Sequence, residues 1–312
     1  MKLAALDVGT NTVLMLVVER TSDGQVRTLA DLACITRLGR GVDANGSLDP
    51  PSAALTLDAI ADFVAQARTL GAGKILTAAT AALRDAADGA AFIAQVKARA
   101  GIDLNLISGM DEAELSWLAV KHGLKLDPAD KVLIVDIGGG STELIRAEPG
   151  RKLDLASLQI GSVRLTERII RHDPPLAREA ADLRLAVDDA LQALGWDFRP
   201  DTMVGIAGTV TTVCALALGL EKYDPAAVHG HRLSLRDVID TIARLGAVPL
   251  ADRMKLPGIE PARADVILAG AAILERVMSH FGLDHVIVSD QGVRWGLIWR
   301  ELEAGLPRSE SG

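Results

Sequence analysis

The strongest constraint on this chain is a short pattern that occurs twice. A run of apolar residues ends in an aspartate, an aliphatic residue and a glycine at Asp7-Val8-Gly9, and the pattern returns near the middle of the chain at Asp136-Ile137-Gly138. In both places the apolar run predicts a buried strand, and the following residues predict a turn into a second strand. The spacing predicts one supersecondary unit that is present twice, which is unlike the short period of a solenoid.

Predicted strands and helices alternate around the first copy of the pattern, which is typical of an α/β domain. The apolar spacing predicts strands over 26–38, 74–78 and 104–107, and helices over 53–70, 87–100 and 110–122. The segment 123–131 combines glycine, proline and aspartate and is the predicted boundary. A length of 312 residues suits two domains, which we expect to span 1–124 and 125–312.

Charge and cysteine content exclude several classes of function. The chain has 33 basic and 41 acidic residues and a net charge of −8, which argues against nucleic acid as a partner. No apolar run reaches the roughly 18 residues of a membrane span, and Asp7 interrupts the first apolar run too early for a signal peptide. Cys34 and Cys214 provide neither a disulfide framework nor a cysteine-based zinc site. We therefore expect a cytoplasmic protein with no membrane partner.

The glycine-rich turns are candidate phosphate-binding loops. Consecutive backbone N–H groups in such a turn point into one concavity, and neighbouring hydroxyls add donors. A third element, 204–212, joins an apolar strand to an apolar helix and offers N–H groups at the start of that helix. The plainer alternatives are an ordinary hairpin turn and a capped helix. The candidate phosphate-binding residues are Gly9, Thr10, Asn11, Thr12, Gly138, Gly139, Gly140, Ser141, Thr142, Gly208 and Thr209.

Carboxylates beside these turns suggest a cation site. Asp136 and Glu143 stand on either side of the second predicted turn, where both can approach one ion. Mg²⁺, or another hard divalent cation, suits this arrangement because it keeps several waters and takes few carboxylates. Asp7 is a third candidate metal ligand. The alternative is that one of these carboxylates only orders its own turn.

The combination of motifs resembles the exopolyphosphatase/guanosine pentaphosphate phosphatase (Ppx/GppA) family of the actin/Hsp70/sugar-kinase superfamily. The segments that carry the resemblance are Asp7–Thr12, Arg37–Val42, Ala79–Arg84, Ile107–Ala113, the sequence DIGGGSTE at Asp136–Glu143, Arg263–Ile267 and Ser289–Arg294. The resemblance covers nearly the whole chain. It implies two duplicated actin-like (ribonuclease H-like) α/β domains with a phosphate-binding cleft between them. It leaves open that the last helix packs back on the first domain.

The resemblance also implies a reaction. The chain is expected to be a Mg²⁺-dependent phosphoanhydride hydrolase that releases terminal phosphate from inorganic polyphosphate, from guanosine pentaphosphate (pppGpp), or from both. Glu112 is expected to act as general base on the attacking water; the alternative is a carboxylate that only stabilises the start of its helix. Arg84 and Arg37 are expected to contact phosphate oxygens, which a guanidinium matches with several donors; the alternative for both is an ion pair between the domains. The resemblance also allows a homodimer.

Two positions depart from the family pattern and keep other functions open. Glu114 stands where the family usually has Arg, and Trp295 stands where it often has Glu. One alternative is a regulator that binds a guanosine polyphosphate with little or no turnover. A second is an ATP-dependent small-molecule kinase of the same superfamily. The acidic net charge favours a nucleotide or short polyphosphate over a long polymer, which needs an extended basic track.

Overall fold

The computed structural model describes residues 1–304, without the side chains of Asp43 and Ala44. The strands are β1 (Lys2–Val8), β2 (Thr12–Arg20), β3 (Val26–Ile35), β4 (Lys74–Ala79), β5 (Val132–Ile137), β6 (Thr142–Ala147), β7 (Asp154–Leu158), β8 (Thr202–Ile206), β9 (Arg232–Ser234) and β10 (His285–Val288). The α-helices are α1 (Val42–Asn45), α2 (Pro50–Thr69), α3 (Ala81–Asp85), α4 (Gly89–Ala100), α5 (Gly109–Gly123), α6 (Ser162–Ile169), α7 (Ala177–Leu194), α8 (Ala207–Leu218), α9 (Pro225–Val228), α10 (Leu235–Gly246), α11 (Leu250–Arg253), α12 (Ile267–His280) and α13 (Val293–Ala304). A 3₁₀ turn covers Pro261–Arg263.

Two sheets repeat one topology. The first has the strand order β3-β2-β1-β4, and the second has the order β7-β6-β5-β8-β10-β9. In each sheet the first strand along the chain pairs antiparallel with the second and parallel with the fourth. The second sheet extends this common part by two strands. The predicted duplication is therefore confirmed, and the chain has two actin-like α/β domains.

The duplication extends to the pairing register. Asp7 lies opposite Leu14 in the first hairpin, and Asp136 lies opposite Glu143 in the second. The spacing within the pair is the same in both hairpins. A one-residue slip would turn every side chain to the other face of the sheet. The shared register therefore places the two aspartates at equivalent positions.

The contacts divide the chain into two compact units. One contains residues 1–122 and 292–304, and the other contains residues 123–291. The sequence boundary was expected after residue 124. The last described helix, α13, belongs to the first unit, where Ile298 and Leu302 pack with Leu3 and Leu16 of the sheet.

The departure at Trp295 has a local explanation in the packing of α13. Its side chain is buried in the same apolar cluster as Leu3 and Leu16. It stacks on Trp299 with ring centroids 6.2 Å apart. Burial of an aromatic ring of this size is a large apolar contribution to a core that contains few other aromatic residues.

The predicted strand over 104–107 is wrong. Leu106 forms only an isolated parallel bridge with Ala79, through bonds from Ala79 N to Asn105 O (2.8 Å) and from Ile107 N to Ala79 O (3.0 Å). The reason is that β4 ends at Ala79 and α3 begins at Ala81. Residues 104–107 therefore have no further residues of β4 with which to pair.

No helix within residues 1–304 is long and apolar enough to cross a membrane.

A buried carboxylate fixes the segment before α7 in the second unit. Glu179 accepts hydrogen bonds from the backbone N–H groups of Arg171 (2.9 Å) and Leu176 (2.9 Å) and contacts Nδ1 of His172 at 2.8 Å. The hydrogen bond with His172, followed by that with the Leu176 N–H, lowers the pKa of Glu179 to about 2. The folded protein therefore favours the ionised form.

We expect Glu179→Gln to lower the melting temperature at neutral pH, because an amide cannot accept these bonds as well as a carboxylate. Since the folded pKa is depressed, the carboxylate stabilises the fold above the unfolded value near 4.5, and this stabilisation is lost as the pH falls towards 2. The difference in melting temperature between wild type and variant should shrink over that range. Thermal melts from pH 7 to pH 2 measure it, with the exposed Glu167→Gln as control. A difference that is constant over this range would contradict the assignment.

Candidate functional site

The first loop, residues Gly9–Thr12, joins β1 to β2 in a tight turn. The N–H of Gly9 donates to the carbonyl of Thr12 at 3.1 Å. The carbonyl of Thr10 accepts from the N–H of Gly39 at 2.8 Å. The carbonyl of Asn11 accepts from two consecutive N–H groups, those of residues 36 and 37, each at 3.0 Å. The segment after β3 therefore holds the carbonyl side of the first loop.

That segment has local features that explain its sequence. Arg37 has a φ of 53°, one of two positive values among the non-glycine residues described. Such backbone conformations are costly and concentrate at functional sites. A Cβ at Gly39 would lie 2.3 Å from Cγ2 of Thr10. The glycine therefore leaves room for the Thr10 side chain in its present rotamer.

The second loop, residues Gly138–Ser141, repeats this turn between β5 and β6. The N–H of Gly138 donates to the carbonyl of Ser141 at 3.0 Å, as in the first loop. Its carbonyls are held by the start of α6. The carbonyl of Gly138 accepts from Ser162 N (2.9 Å) and Oγ (3.2 Å).

The next two carbonyls of the second loop are held in the same way. The carbonyl of Gly139 accepts from the N–H groups of Val163 (2.9 Å) and Arg164 (3.0 Å). The carbonyl of Gly140 accepts from Nε of Arg164 at 2.6 Å. All three glycine carbonyls of the loop are therefore turned towards α6.

The opposite side of these peptides has the character of an anion site. The N–H groups of Gly139, Gly140 and Ser141 donate to no residue within 1–304. The same holds for the N–H groups of Thr10 and Asn11 in the first loop. Consecutive N–H groups in such turns make concavities that bind phosphate oxygens. Phosphate binding by these N–H groups stays a prediction.

Two hydroxyl groups of the second loop and its following strand form hydrogen bonds within the protein. Thr142 is fully buried, and its hydroxyl donates to the carbonyl of Ile160 at 2.6 Å. The hydroxyl of Ser141 donates to Oε1 of Glu143 at 2.7 Å. These two hydroxyls therefore donate within the protein, whereas the three N–H groups of the second loop named above donate to no residue within 1–304.

In each unit a threonine that lies just beyond the neighbouring parallel strand approaches the residue before the loop. Thr209, buried in the first turn of α8, donates its hydroxyl to the carbonyl of Ile137 at 2.8 Å. Thr80, at the corresponding place in the first unit, approaches the equivalent carbonyl of Val8 through its N–H (3.2 Å) and its hydroxyl (3.5 Å). The segment Ala79–Arg84 of the first unit is thus the counterpart of the Gly208–Thr209 element in the second.

The start of α8 is tightly packed and strained. Ala207 has a φ of 65°, the other positive value among the described non-glycine residues. A Cβ at Gly208 would lie 2.3 Å from Nη1 of Arg263, so the guanidinium lies directly against this glycine. Burial lowers the pKa of Arg263 from its usual value. The guanidinium of Arg263 therefore lies beside the N-terminus of α8.

The candidate metal ligands of the second unit are brought together by strand pairing. Asp136 and Glu143 are directly opposite in the β5–β6 register, which puts their Cβ atoms roughly 4.5–5.5 Å apart on one face. The carboxylate of Glu143 accepts from Ser141 Oγ (2.7 Å) and Ser157 Oγ (2.9 Å), and these bonds orient it. The pair offers hard oxygen ligands of the kind that Mg²⁺ prefers.

Asp7 has a different environment in the first unit. Its Oδ1 is buried and has no hydrogen-bond partner within residues 1–304. Burial raises the pKa of Asp7 to about 6, while the nearby Arg294 guanidinium acts in the opposite direction. Arg294 itself donates from Nη2 to Oδ2 of Asp31 at 2.9 Å.

No group of three or more histidine, cysteine, aspartate or glutamate side chains arranged to hold a metal is found among residues 1–304.

Glu112 lies in the first turn of α5, whose start is set by a capping box. The hydroxyl of Ser108 donates to Asp111 Oδ2 at 2.6 Å, and the N–H of Asp111 donates to Ser108 Oγ at 3.1 Å. Arg84 donates from Nη1 to the carbonyl of Ile107 at 3.1 Å, which ties α3 to this capped start. The half-buried Glu112 is thus carried on a well-defined helix end.

The departure at Glu114 lies on the exposed side of the same helix. Its carboxylate is 3.8 Å from Nη2 of Arg300, and both side chains are about half exposed. Exposed pairs of this kind contribute little to stability.

Comparison with known proteins identifies the family. The sequence model of the Ppx/GppA phosphatase family matches residues 17–304. The chain belongs to this family. Exopolyphosphatase 2 of Mycobacterium tuberculosis is 33% identical over 95% of this chain and 97% of its own length. Exopolyphosphatase 1 of Mycobacterium leprae is 30% identical over 97% of this chain and 90% of its own length.

Solved structures agree with the family. The Ppx/GppA family member of Aquifex aeolicus superposes with a TM-score of 0.85 at 30% identity and covers 98% of this chain and 99% of its own. An exopolyphosphatase from Cytophaga hutchinsonii superposes with a TM-score of 0.88 at 24% identity, covering 97% of this chain and 98% of its own, and supports the fold alone.

The sequence analysis missed the residues that donate hydrogen bonds to the carbonyls of the second loop. Ser162 and Arg164 stand well beyond the loop in the chain and belong to no motif that we singled out. The adjacent Gly161 is a usable signal, since a Cβ there would lie 2.3 Å from the carbonyl oxygen of Gly139. Its backbone is ordinary and extended, so close packing alone demands the glycine.

We expect Gly161→Ala to displace the second loop, because the added methyl group collides with the Gly139 peptide. Overpacking of this kind costs about 1–3 kcal/mol of stability, and the affinity for inorganic phosphate should fall with it. Thermal melts and calorimetric titration measure the two effects. The control is Gly73→Ala, whose Cβ would meet its nearest neighbour at 3.9 Å. Unchanged phosphate affinity in the Gly161 variant would contradict this role of the loop.

Proposed function

We propose that this chain is an exopolyphosphatase, which transfers the terminal phosphoryl group of a polyphosphate chain to water. The observation that carries the proposal is the second loop, where the N–H groups of Gly139, Gly140 and Ser141 form an anion nest beside the carboxylate pair Asp136–Glu143. The names of the relatives support the choice of substrate. The 5′ end of guanosine pentaphosphate presents the same phosphoanhydride and is the second substrate that we propose.

The chemistry asks for little covalent participation by the protein. Phosphoryl transfer depends mainly on positioning and on stabilising charge at the oxygens of the transferring group. The backbone N–H groups of the first and second loops supply uncharged hydrogen-bond donors to these oxygens. Arg37 and Arg84 add guanidinium groups, which suit phosphate oxygens.

Water needs a base as it attacks. We assign this role to Glu112, which accepts a proton from the water while the water oxygen bonds to the terminal phosphorus. The bond from phosphorus to the bridging oxygen breaks, and that oxygen leaves with the electron pair on the shortened chain. The products are inorganic phosphate and a polyphosphate one unit shorter.

Asp136 and Glu143 would hold a Mg²⁺ ion. The fit rests on the direct pairing of the two carboxylates across the β5–β6 hairpin. When bound, the cation supplies neutralisation of phosphate charge.

We expect Glu112→Gln to lower the rate of phosphate release from tripolyphosphate by at least about a hundredfold, because a positioned general base contributes roughly that factor or more. Binding of tripolyphosphate should persist. Phosphate release and calorimetric titration separate the two effects. Glu114→Gln, on the same helix and exposed, is the control and should stay near wild type.

The same assay distinguishes the alternatives. Release from polyphosphate or guanosine pentaphosphate without any acceptor supports the hydrolase. Consumption of ATP only in the presence of an acceptor hydroxyl would identify a kinase, and tight binding of a guanosine polyphosphate without release would identify a regulator. Either of these results would refute the hydrolase, and full activity of Glu112→Gln would refute the assignment of Glu112 as the base.

We expect Asp136→Asn and Glu143→Gln each to raise the Mg²⁺ concentration needed for half-maximal release by at least about tenfold, since changes at metal sites commonly cost this much affinity. Release measured over a Mg²⁺ series tests this. Asp154→Asn, a mostly exposed residue on β7 of the same sheet, serves as control. An unchanged Mg²⁺ requirement in both variants would rule out the pair as the cation site.

A further inference from the structure

The second loop is polarised by the bonds on its carbonyl side. A peptide group joins the carbonyl of one residue to the N–H of the next. The carbonyls of Gly138, Gly139 and Gly140 therefore belong to the same peptides as the N–H groups of Gly139, Gly140 and Ser141. Since each of these carbonyls accepts a bond from the start of α6, each N–H becomes a stronger donor through cooperative polarisation.

One of the three peptides differs from the others in its donor. Neutral groups of Ser162, Val163 and Arg164 serve the first two carbonyls, whereas the guanidinium of Arg164 serves the carbonyl of Gly140 at 2.6 Å. Hydrogen bonds from a charged donor are shorter and about twice as strong as neutral ones. The positively charged Arg164 side chain is thus hydrogen-bonded to the Gly140–Ser141 peptide, whose N–H belongs to Ser141.

The first loop lacks this arrangement at the equivalent peptide. Asn11 is the counterpart of Gly140, and within residues 1–304 its carbonyl accepts only backbone N–H bonds, from residues 36 and 37. The charge behind the peptide is therefore a property of the second loop, which is also the loop beside the carboxylate pair.

We infer that Arg164 is a positioning residue for phosphate binding, which orients the Gly140–Ser141 peptide and strengthens its N–H as a donor to a phosphoryl oxygen. The inference rests on the proposed function for its substrate, a polyphosphate. It assigns Arg164 to the loop and not to direct contact with the substrate.

The test compares wild type, Arg164→Gln, Arg164→Lys and Arg168→Gln in the full chain. Arg168 lies on the same helix, and its side chain is exposed. The measurements are the dissociation constant of tripolyphosphate, determined in the Glu112→Gln background, kcat and KM for phosphate release, and the melting temperature.

We expect Arg164→Gln to weaken tripolyphosphate binding and to lower kcat/KM by roughly tenfold, which is less than the loss of a direct oxyanion donor. Its melting temperature should stay close to that of Arg168→Gln. Arg164→Lys should recover part of the affinity because it keeps the charge.

Unchanged affinity in Arg164→Gln would overturn the inference. Equal losses of affinity in the Gln and Lys variants, accompanied by a lower melting temperature, would also overturn it, because they indicate a structural role alone. If wild type releases no phosphate, the proposed function fails, and tripolyphosphate binding still decides the role of Arg164. A wild type that neither binds nor hydrolyses tripolyphosphate would overturn both.

Discussion

A backbone carbonyl that is removed from water needs a hydrogen-bond partner, and in both loops residues from outside the loop supply it. In the second loop, α6 supplies the partners for three successive carbonyls. Gly161 is glycine because the chain must approach Gly139 closely enough for those bonds to form. The helix start, the glycine and the arginine form one unit with the loop. The conformation of the second loop is thus set by the residues of α6 as much as by its own glycines.

Each unit contains one such loop, and the hairpins that carry the two loops differ at one informative position. The position opposite the strand-end aspartate is Leu14 in the first unit and Glu143 in the second. The same register therefore yields one isolated carboxylate in the first hairpin and a pair of carboxylates in the second. Two carboxylates on adjacent strands suit a hard cation, whereas the buried Asp7 has its pKa raised by desolvation.

Parts of the fold and of the candidate site followed directly from residue patterns. Helix α5 was predicted over 110–122 and spans Gly109–Gly123, because apolar periodicity is a local property. The strand over 104–107 failed because its existence depends on the length of its partner, β4, which ends at Ala79. Arg164 was missed because its bond to Gly140 joins residues 24 positions apart. The assignment of Glu112 as a base remains a prediction that the measurements above test.

The sequence by itself determined the duplication, the α/β class and the family, since these follow from an aspartate–glycine pattern that occurs once in each half and from the motifs around it. It also located both glycine turns and the Asp136–Glu143 pair, because a hairpin register is set within a few residues. Only the tertiary structure decided which elements hold the loop carbonyls and where Trp295 packs. The physical reason is that hydrogen-bond satisfaction and core packing are settled by residues distant in the chain, whose approach no local pattern encodes.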